Sequence, residues 1–275
     1  MSDPDSLKKW QKKVRQLEKK LESSEHNRAF LEQMWDRNSK LFQTLNTEIE
    51  SQSKLIKEQH EKIRKEREKS EQLLNNILPQ SIAERLKQNP SVIADYFNSV
   101  TVLFTDIVGF TKISEKLSPS ELIQFLNSIF STFDDLVEKY QLEKIKTIGD
   151  EYMVAAGFPE PRDDHVEAIA DLALDMQETL DNIENNSNKI EMRTGIHTGP
   201  AIAGVIGTKK FNYDVWGDTV NTASRMESNG LGGKIQVSHA AYELLKDKYS
   251  LEPRGTIEVK GKGKLKTYWL KGKKS

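Results

Sequence analysis

The sequence predicts an α+β fold, a ferredoxin-like βαββαβ sheet with its helices on one face, preceded by a long parallel coiled-coil helix. Three observations carry this. Residues 7–77 contain neither glycine nor proline and are dense in charge and Gln, which predicts one continuous helix. Beyond them, apolar β-type runs and amphipathic stretches follow in the order strand, helix, two strands, helix, strand, the split βαβ order. Residues 143–156, EKIKTIGDEYMVAA, read as the hairpin of that order, with β-type runs on both sides of Gly149-Asp150.

A chain of 275 residues, 30% charged and 36% hydrophobic, holds one ordinary domain with an extension, or two small domains. It has no cysteine, which excludes disulfides, thiolate metal sites and a cysteine nucleophile and fits a reducing compartment; the cytoplasm is the expected location. No apolar run approaches the roughly 20 residues that cross a bilayer, and no secretory signal opens the chain, so no membrane segment is expected. A net charge of −1, from 41 Lys+Arg against 42 Asp+Glu, lacks the basic footprint of a nucleic-acid binder.

Every seventh residue from Leu7 gives Leu7, Val14, Leu21, Arg28, Trp35, Phe42, Ile49, Ile56, Ile63, Ser70 and Ile77, nearly all apolar. The row three residues later, Trp10, Leu17, Ser24, Leu31, Asn38, Leu45, Gln52, Gln59, Glu66 and Leu73, is mixed but apolar at its two ends, and its polar run from Gln52 to Glu66 weakens the seam before the next domain. These are the a and d positions of a heptad; Ile-rich a with Leu at d favours a parallel two-stranded coiled coil, and Asn38 helps to fix its register. Residues 1–78 are therefore expected to form a dimerisation helix. Pro79 ends it. Residues 79–95 form a hinge-like linker with a short helix at 81–87, and the third segment spans 96–275.

That segment opens with a buried strand ending in Asp106 and a glycine turn. A helix follows at 119–140, with Ser118 as N-cap and Pro119 in its first turn. After the hairpin come a helix at 163–185, strands at 190–197, 199–207 and 211–215, a helix at 217–228, a strand at 234–237, a helix at 240–247 and a terminal hairpin at 256–270. The five histidines, His26, His60, His165, His197 and His239, form no i, i+3 or i, i+4 pair and are expected in core or capping roles.

An Asp beside Gly is ordinarily only a turn, but the fold makes the strand ending at Asp106 a neighbour of the hairpin tip at Asp150. Two aspartates brought together with no Lys or Arg between them repel and need a cation. Hard oxygen ligands without His or Cys favour Mg²⁺ or Mn²⁺, and two such ions about 4 Å apart would clamp a phosphoryl displacement.

Four stretches, FTDIVGFT at 104–111, IKTIGDEYM at 145–153, YDVWGDTVNTASRMES at 213–228 and VKGKG at 259–263, resemble the class III nucleotide cyclases in content and order. The resemblance covers residues 96–275 and implies a catalytic domain there. It implies that Asp106 and Asp150, joined by the backbone carbonyl of Ile107, bind two metal ions, Mg²⁺ or Mn²⁺. It further implies that Asn221 orients the ribose, that Arg225 stabilises charge on the α-phosphate, and that Lys260, with Lys262 as second choice, contacts the terminal phosphates. In the family the site lies between two catalytic domains. A homodimer is therefore implied, regulated by an upstream sensor or a partner.

Lys146 and Asp214 carry the choice of base. Lys146 can only donate a hydrogen bond and ionised Asp214 can only accept, which suits the N6 donor and N1 acceptor of adenine. Guanylyl members of the family typically have Glu and a small polar residue there. The expectation is an adenylyl cyclase that makes 3′,5′-cyclic AMP and pyrophosphate from ATP. The alternatives are a guanylyl cyclase and a catalytically silent, nucleotide-binding dimeric signalling module. A ferredoxin-like RNA binder would need paired aromatics where Thr105-Asp106 and Gly149-Asp150 stand.

Overall fold

The structure, a computed structural model, describes residues 4–89, 92–182, 190–207, 210–259 and 261–274. It divides into two compact units, Met1–Gln72 and Leu73–Ser275. The first is a single helix, α1 (Pro4–Asn75), which runs to the start of the second unit. Along it the apolar rows face solvent: Trp35 is 74% and Phe42 67% exposed, and Val14, Leu21, Ile49, Ile56 and Ile63 are exposed with them. No helix among the described residues is long and apolar enough to cross a membrane.

The second unit is built from α2 (Gln80–Gln88), β1 (Ile93–Ile107), α3 (Phe110–Ser114), α4 (Pro119–Lys139), β2 (Glu143–Ile148), β3 (Glu151–Ala156), α5 (His165–Asn182), β4 (Met192–Ile206), β5 (Asn212–Trp216), α6 (Asp218–Ser228), β6 (Lys234–Ser238), α7 (His239–Leu245), β7 (Tyr249–Val259) and β8 (Gly263–Lys273). The sheet runs β2-β3-β1-β4-β6-β8-β7, with β5 on β4; β4 and β6 are parallel and the other described pairs antiparallel. The strand-helix-strand-strand-helix-strand order predicted from the sequence is present. The capping of α4 is as its sequence signals, with the Ser118 hydroxyl and the Glu121 carboxylate each accepting the other residue's backbone N–H.

Several details differ from the sequence reading. The segments at 190–197 and 199–207 are one 15-residue strand, β4, because Gly199 lies opposite Val100 in the β1 ladder and does not turn the chain. The α3 turn was not anticipated. Helices also cover both faces, because β1 is apolar on both. Leu103 and Ile107 pack with α4, α5 and α7, whereas Val100, Val102 and Phe104 pack with Ala223 of α6, Val215 of β5 and Ile82 of α2. The linker is docked: Leu78, Ile82 and Ala83 are buried in this second core.

Helix α6 approaches β4 at Gly195, where a Cβ would lie 2.0 Å from the Glu227 amide nitrogen. Only backbone fits at that distance. Gly195→Ala should destabilise the second unit by about 1–3 kcal/mol, as overpacking does, lowering its melting temperature by roughly 2–4 °C per kcal/mol. Thermal unfolding of the variant against wild type checks this.

Candidate active site

Asp106 lies near the end of β1, opposite Glu151 of β3 on one side and Arg193 of β4 on the other. Asp150 occupies the β2–β3 turn, where Gly149 takes the left-handed conformation (φ 67°) that glycine adopts freely. The two side chains lie close enough for Asp150 to act on the Asp106 carboxyl. Burial first, then the neighbouring Asp150 carboxyl and the charge of Glu227, push the Asp106 carboxyl up to about 7.

Arg193 opposes this rise. Its Nη2 donates to Asp106 Oδ2 at 2.8 Å and its Nε to Glu227 Oε1 at 2.6 Å. Glu227, 3% exposed on α6, is itself raised mainly by burial. The expectation of an aspartate pair with no cation between them is thus corrected: strand pairing sets Arg193 beside Asp106, although 87 residues separate them in the chain. The hydrophobic alternation of β4 hinted at a strand, but nothing in the sequence gave its register against β1.

Among the described residues no group of three His, Cys, Asp or Glu side chains is arranged to hold a metal ion. The donor set still fits a hard divalent cation, because Mg²⁺ is ordinarily held by one or two carboxylates and completed by phosphate oxygens and water. The raised carboxyl of Asp106 beside Asp150 marks where positive charge is wanted. Ile107 has its side chain in the core, so it has only its backbone carbonyl to offer.

Lys146 and Asp214 meet within one chain, the ammonium donating to Asp214 Oδ2. Asp214, 5% exposed on β5, also accepts from the Val215 backbone N–H at 2.9 Å. Glu151 ties this pair to the acidic one: burial chiefly raises its carboxyl, Asp150 adds to the rise, and Lys146 counters it.

Asn221 and Arg225, one turn apart, lie on the exposed face of α6 and make no side-chain hydrogen bond to another described residue. With Asp218, Val259 and Lys262 they line a groove of about 530 Å³ to which none of Asp106, Asp150, Lys146 and Asp214 contributes. Lys262 donates to Asp218 and so reaches the groove from the β7–β8 hairpin. Lys260 lies outside the described residues. His165, buried, bonds Thr101 and Ser99, and the half-buried His197 bonds Ser238 at 2.7 Å, with burial pushing its pKa down to about 4.

An acidic pair at the end of the central strand, a Lys–Asp pair and an Asn/Arg helix face thus occur together in the second unit. Residues 92–272 match the family described as adenylate and guanylate cyclase catalytic domain, and the chain belongs to that family. Residues 6–86 match a family described as heme NO binding associated. Over 211 residues the chain is 50% identical to an adenylate cyclase of Mycobacterium tuberculosis, covering 76% of this chain and 48% of that one. Over 225 residues it is 42% identical to the receptor-type guanylate cyclase gcy-28 of Caenorhabditis elegans, covering 80% and 18%. The chain thus spans about half, or less, of the length of these relatives. The guanylate cyclase domain of RhGC from Catenaria anguillulae, solved in complex with GTP, superposes with a TM-score of 0.63 at 38% identity, over 66% of this chain and 100% of that one.

A pH dependence arises from Asp106. Its folded pKa, about 7, lies above its unfolded value, so its stabilising contribution is present at low pH and is lost as pH rises through 7. In chelator-treated protein the melting temperature should therefore fall across that range, and Mg²⁺ or Mn²⁺ should restore it more at high pH than at low. Glu143, pushed up to about 7 by burial, adds a parallel pH effect. Asp106→Asn separates the two, since it should shrink the cation effect and leave the Glu143 part. A cation shift in melting temperature that ignores pH would argue against Asp106 as a ligand.

Proposed function

We propose that the chain is an adenylyl cyclase, converting ATP to 3′,5′-cyclic AMP and pyrophosphate at sites shared between two copies. The observation that carries the choice of ATP is the Lys146–Asp214 pair. An acceptor buried beside a donor matches the adenine edge, and guanine, with an O6 acceptor and an N1–H donor, would meet like groups on both. The relatives include cyclases of both kinds, so the argument rests on this polarity.

In this reading Asp106, Asp150 and the Ile107 carbonyl hold Mg²⁺ or Mn²⁺, two ions per site, which when bound supply charge stabilisation and acidify the ribose hydroxyl. Asn221 holds the ribose so that its 3′-oxygen faces the α-phosphorus. The new bond joins that oxygen to the α-phosphorus, and the bond from the α-phosphorus to the bridging oxygen breaks. Pyrophosphate leaves with the bonding pair, and the 3′ proton passes to solvent. Arg225 neutralises charge as it builds on the α-phosphate, with Lys260 or Lys262 at the terminal phosphates. Most of the protein's contribution is orientation and electrostatics.

The groove under Asn221 and Arg225 is separate from the aspartates, which supports a site completed by a second copy. The exposed apolar rows of α1 support the same homodimer, since two such helices cover each other's seams in a parallel coiled coil. The match of residues 6–86 supports a regulatory role for that helix, with a heme-based sensor as upstream domain or partner.

Product analysis with ATP or GTP and Mg²⁺ or Mn²⁺ tests the substrate: cyclic AMP is expected, and cyclic GMP as main product would overturn the reading. Lys146→Glu with Asp214→Cys should reduce discrimination against GTP, measured as the ATP:GTP ratio of kcat/KM.

Asp106→Ala and Asn221→Ala chains should each be inactive alone. Mixed equally, they should recover about a quarter of wild-type turnover, because half the dimers are mixed and each holds one intact site of two. No recovery in the mixture would rule out the shared site.

A further inference from the structure

Lys146 reaches Asp214 only because β2 is irregular. Side chains alternate between the faces of a strand, so Lys144 and Lys146 should point the same way. They do not. Lys144 pairs with Val154, which packs in the core under α4 and α5, and Lys146 pairs with Met153, which packs in the opposite core. A bulge between them absorbs Ile145, which packs with Met153 in that opposite core. One extra residue inverts the facing of every side chain beyond it. In a regular ladder Lys146 would face α4, on the wrong side of the sheet for Asp214.

A bulge forfeits ladder hydrogen bonds, and its flanks must be held for it to persist. One carboxylate on α4 holds Lys144 on the near flank and, on β3, the residue opposite the far flank. Lys144 donates to Asp134 Oδ1 at 2.6 Å and to Oδ2 at 2.8 Å. The hydroxyl of Tyr152, fully buried, donates to the same Oδ1. Tyr152 stands opposite Thr147, beyond the bulge, and the Lys144 ammonium lies 5.0 Å from the centre of the Tyr152 ring.

We propose that Asp134 is a positioning residue for base recognition: by holding Lys144 and Tyr152 on the α4 face, on either side of Ile145, it keeps the bulge that turns Lys146 toward Asp214. The proposal rests on the reading of Lys146 and Asp214 as the base-reading pair. Asp134 contacts neither of them. Removing its carboxylate frees Lys144, lets β2 relax toward regular alternation, and leaves Lys146 poorly aimed at adenine.

The test compares ATP and GTP kinetics of the purified full chain in four variants. Asp134→Ala should lower the ATP:GTP ratio of kcat/KM about tenfold, the size of coupling within one hydrogen-bond network. The change should lie mainly in the KM for ATP, with kcat less affected, and Asp134→Glu should restore part of the ratio. Lys144→Met keeps the aliphatic stem and removes the donor, so it should reproduce the effect even if Asp134→Ala fails to fold. Lys146→Ala is the reference for the underlying reading. If Lys146→Ala shifts the ratio while Asp134→Ala and Lys144→Met leave it at the wild-type value, or slow both nucleotides equally, Asp134 is only structural and the inference is overturned. If Lys146→Ala itself leaves the ratio unchanged, the base-reading assignment falls, and the inference with it.

Discussion

Asp106 and Asp150 are held together against their own repulsion, and much of the sheet's design serves that purpose. Strand pairing leaves no choice, since β1 and β3 are neighbours and the tight turn at Gly149 delivers Asp150 to the end of β1. Such a pair costs free energy unless charge is supplied. Here part of it is supplied by Arg193 from β4. Glu227 in turn anchors Arg193 from the far side. The close approach of α6 at Gly195 sets Glu227 at that depth, so a glycine in β4 governs the electrostatics of an acidic pair on β1.

The same helix links packing to binding. The inner face of α6 carries Ala223, Met226 and Glu227 into the core, and the outer face presents Asn221 and Arg225 to the groove. A stripe of period 3.6 thus separates the residues that must be dry from those that must meet a ligand. Because β4 sits under α6, the groove and the acidic site are referenced to one rigid strand.

The features legible in the sequence and those hidden from it divide along physical lines. Local signals were legible: the N-cap at Ser118, the Gly149 turn, the heptad rows of α1 and the strand-helix order all depend on residues close in the chain. Asp106, Asp150, Lys146, Asp214, Asn221 and Arg225 were singled out by motif resemblance and one physical argument about donors and acceptors, and the structure brings Lys146 to Asp214 and sets Asn221 and Arg225 on one groove. Arg193 was not, because its role comes from a register between β1 and β4 that composition does not fix. The bulge at Ile145 was hidden for a related reason. The run EKIKTI fits a regular strand as well as an irregular one, and only the opposite packing of Val154 and Met153 shows that an extra residue is absorbed. Continuity of β4 through Gly199 was missed because glycine usually punctuates a chain, whereas here its small size makes room for the Thr219 hydroxyl, 2.7 Å from where a Cβ would sit.

The linker illustrates how packing overrides a local reading. Pro79 marks a break in helix, and a break suggests a hinge. Yet Leu78, Ile82 and Ala83 are buried in the core that receives Phe104, Met153 and Phe158, and Ile145 packs against that same core. Arg85 adds a bidentate bond to Asp95 at the start of β1. Protein interiors are close-packed, so a shift of these joint residues must be met by repacking of their neighbours. The bulged residue that aims Lys146 is one of those neighbours. In the reading of Lys146 and Asp214 as the base-reading pair, a shift of the joint would reach them through this common core, and the β2–β3 hairpin, with Asp150 at its tip and Lys146 beyond its bulge, is the element it would displace.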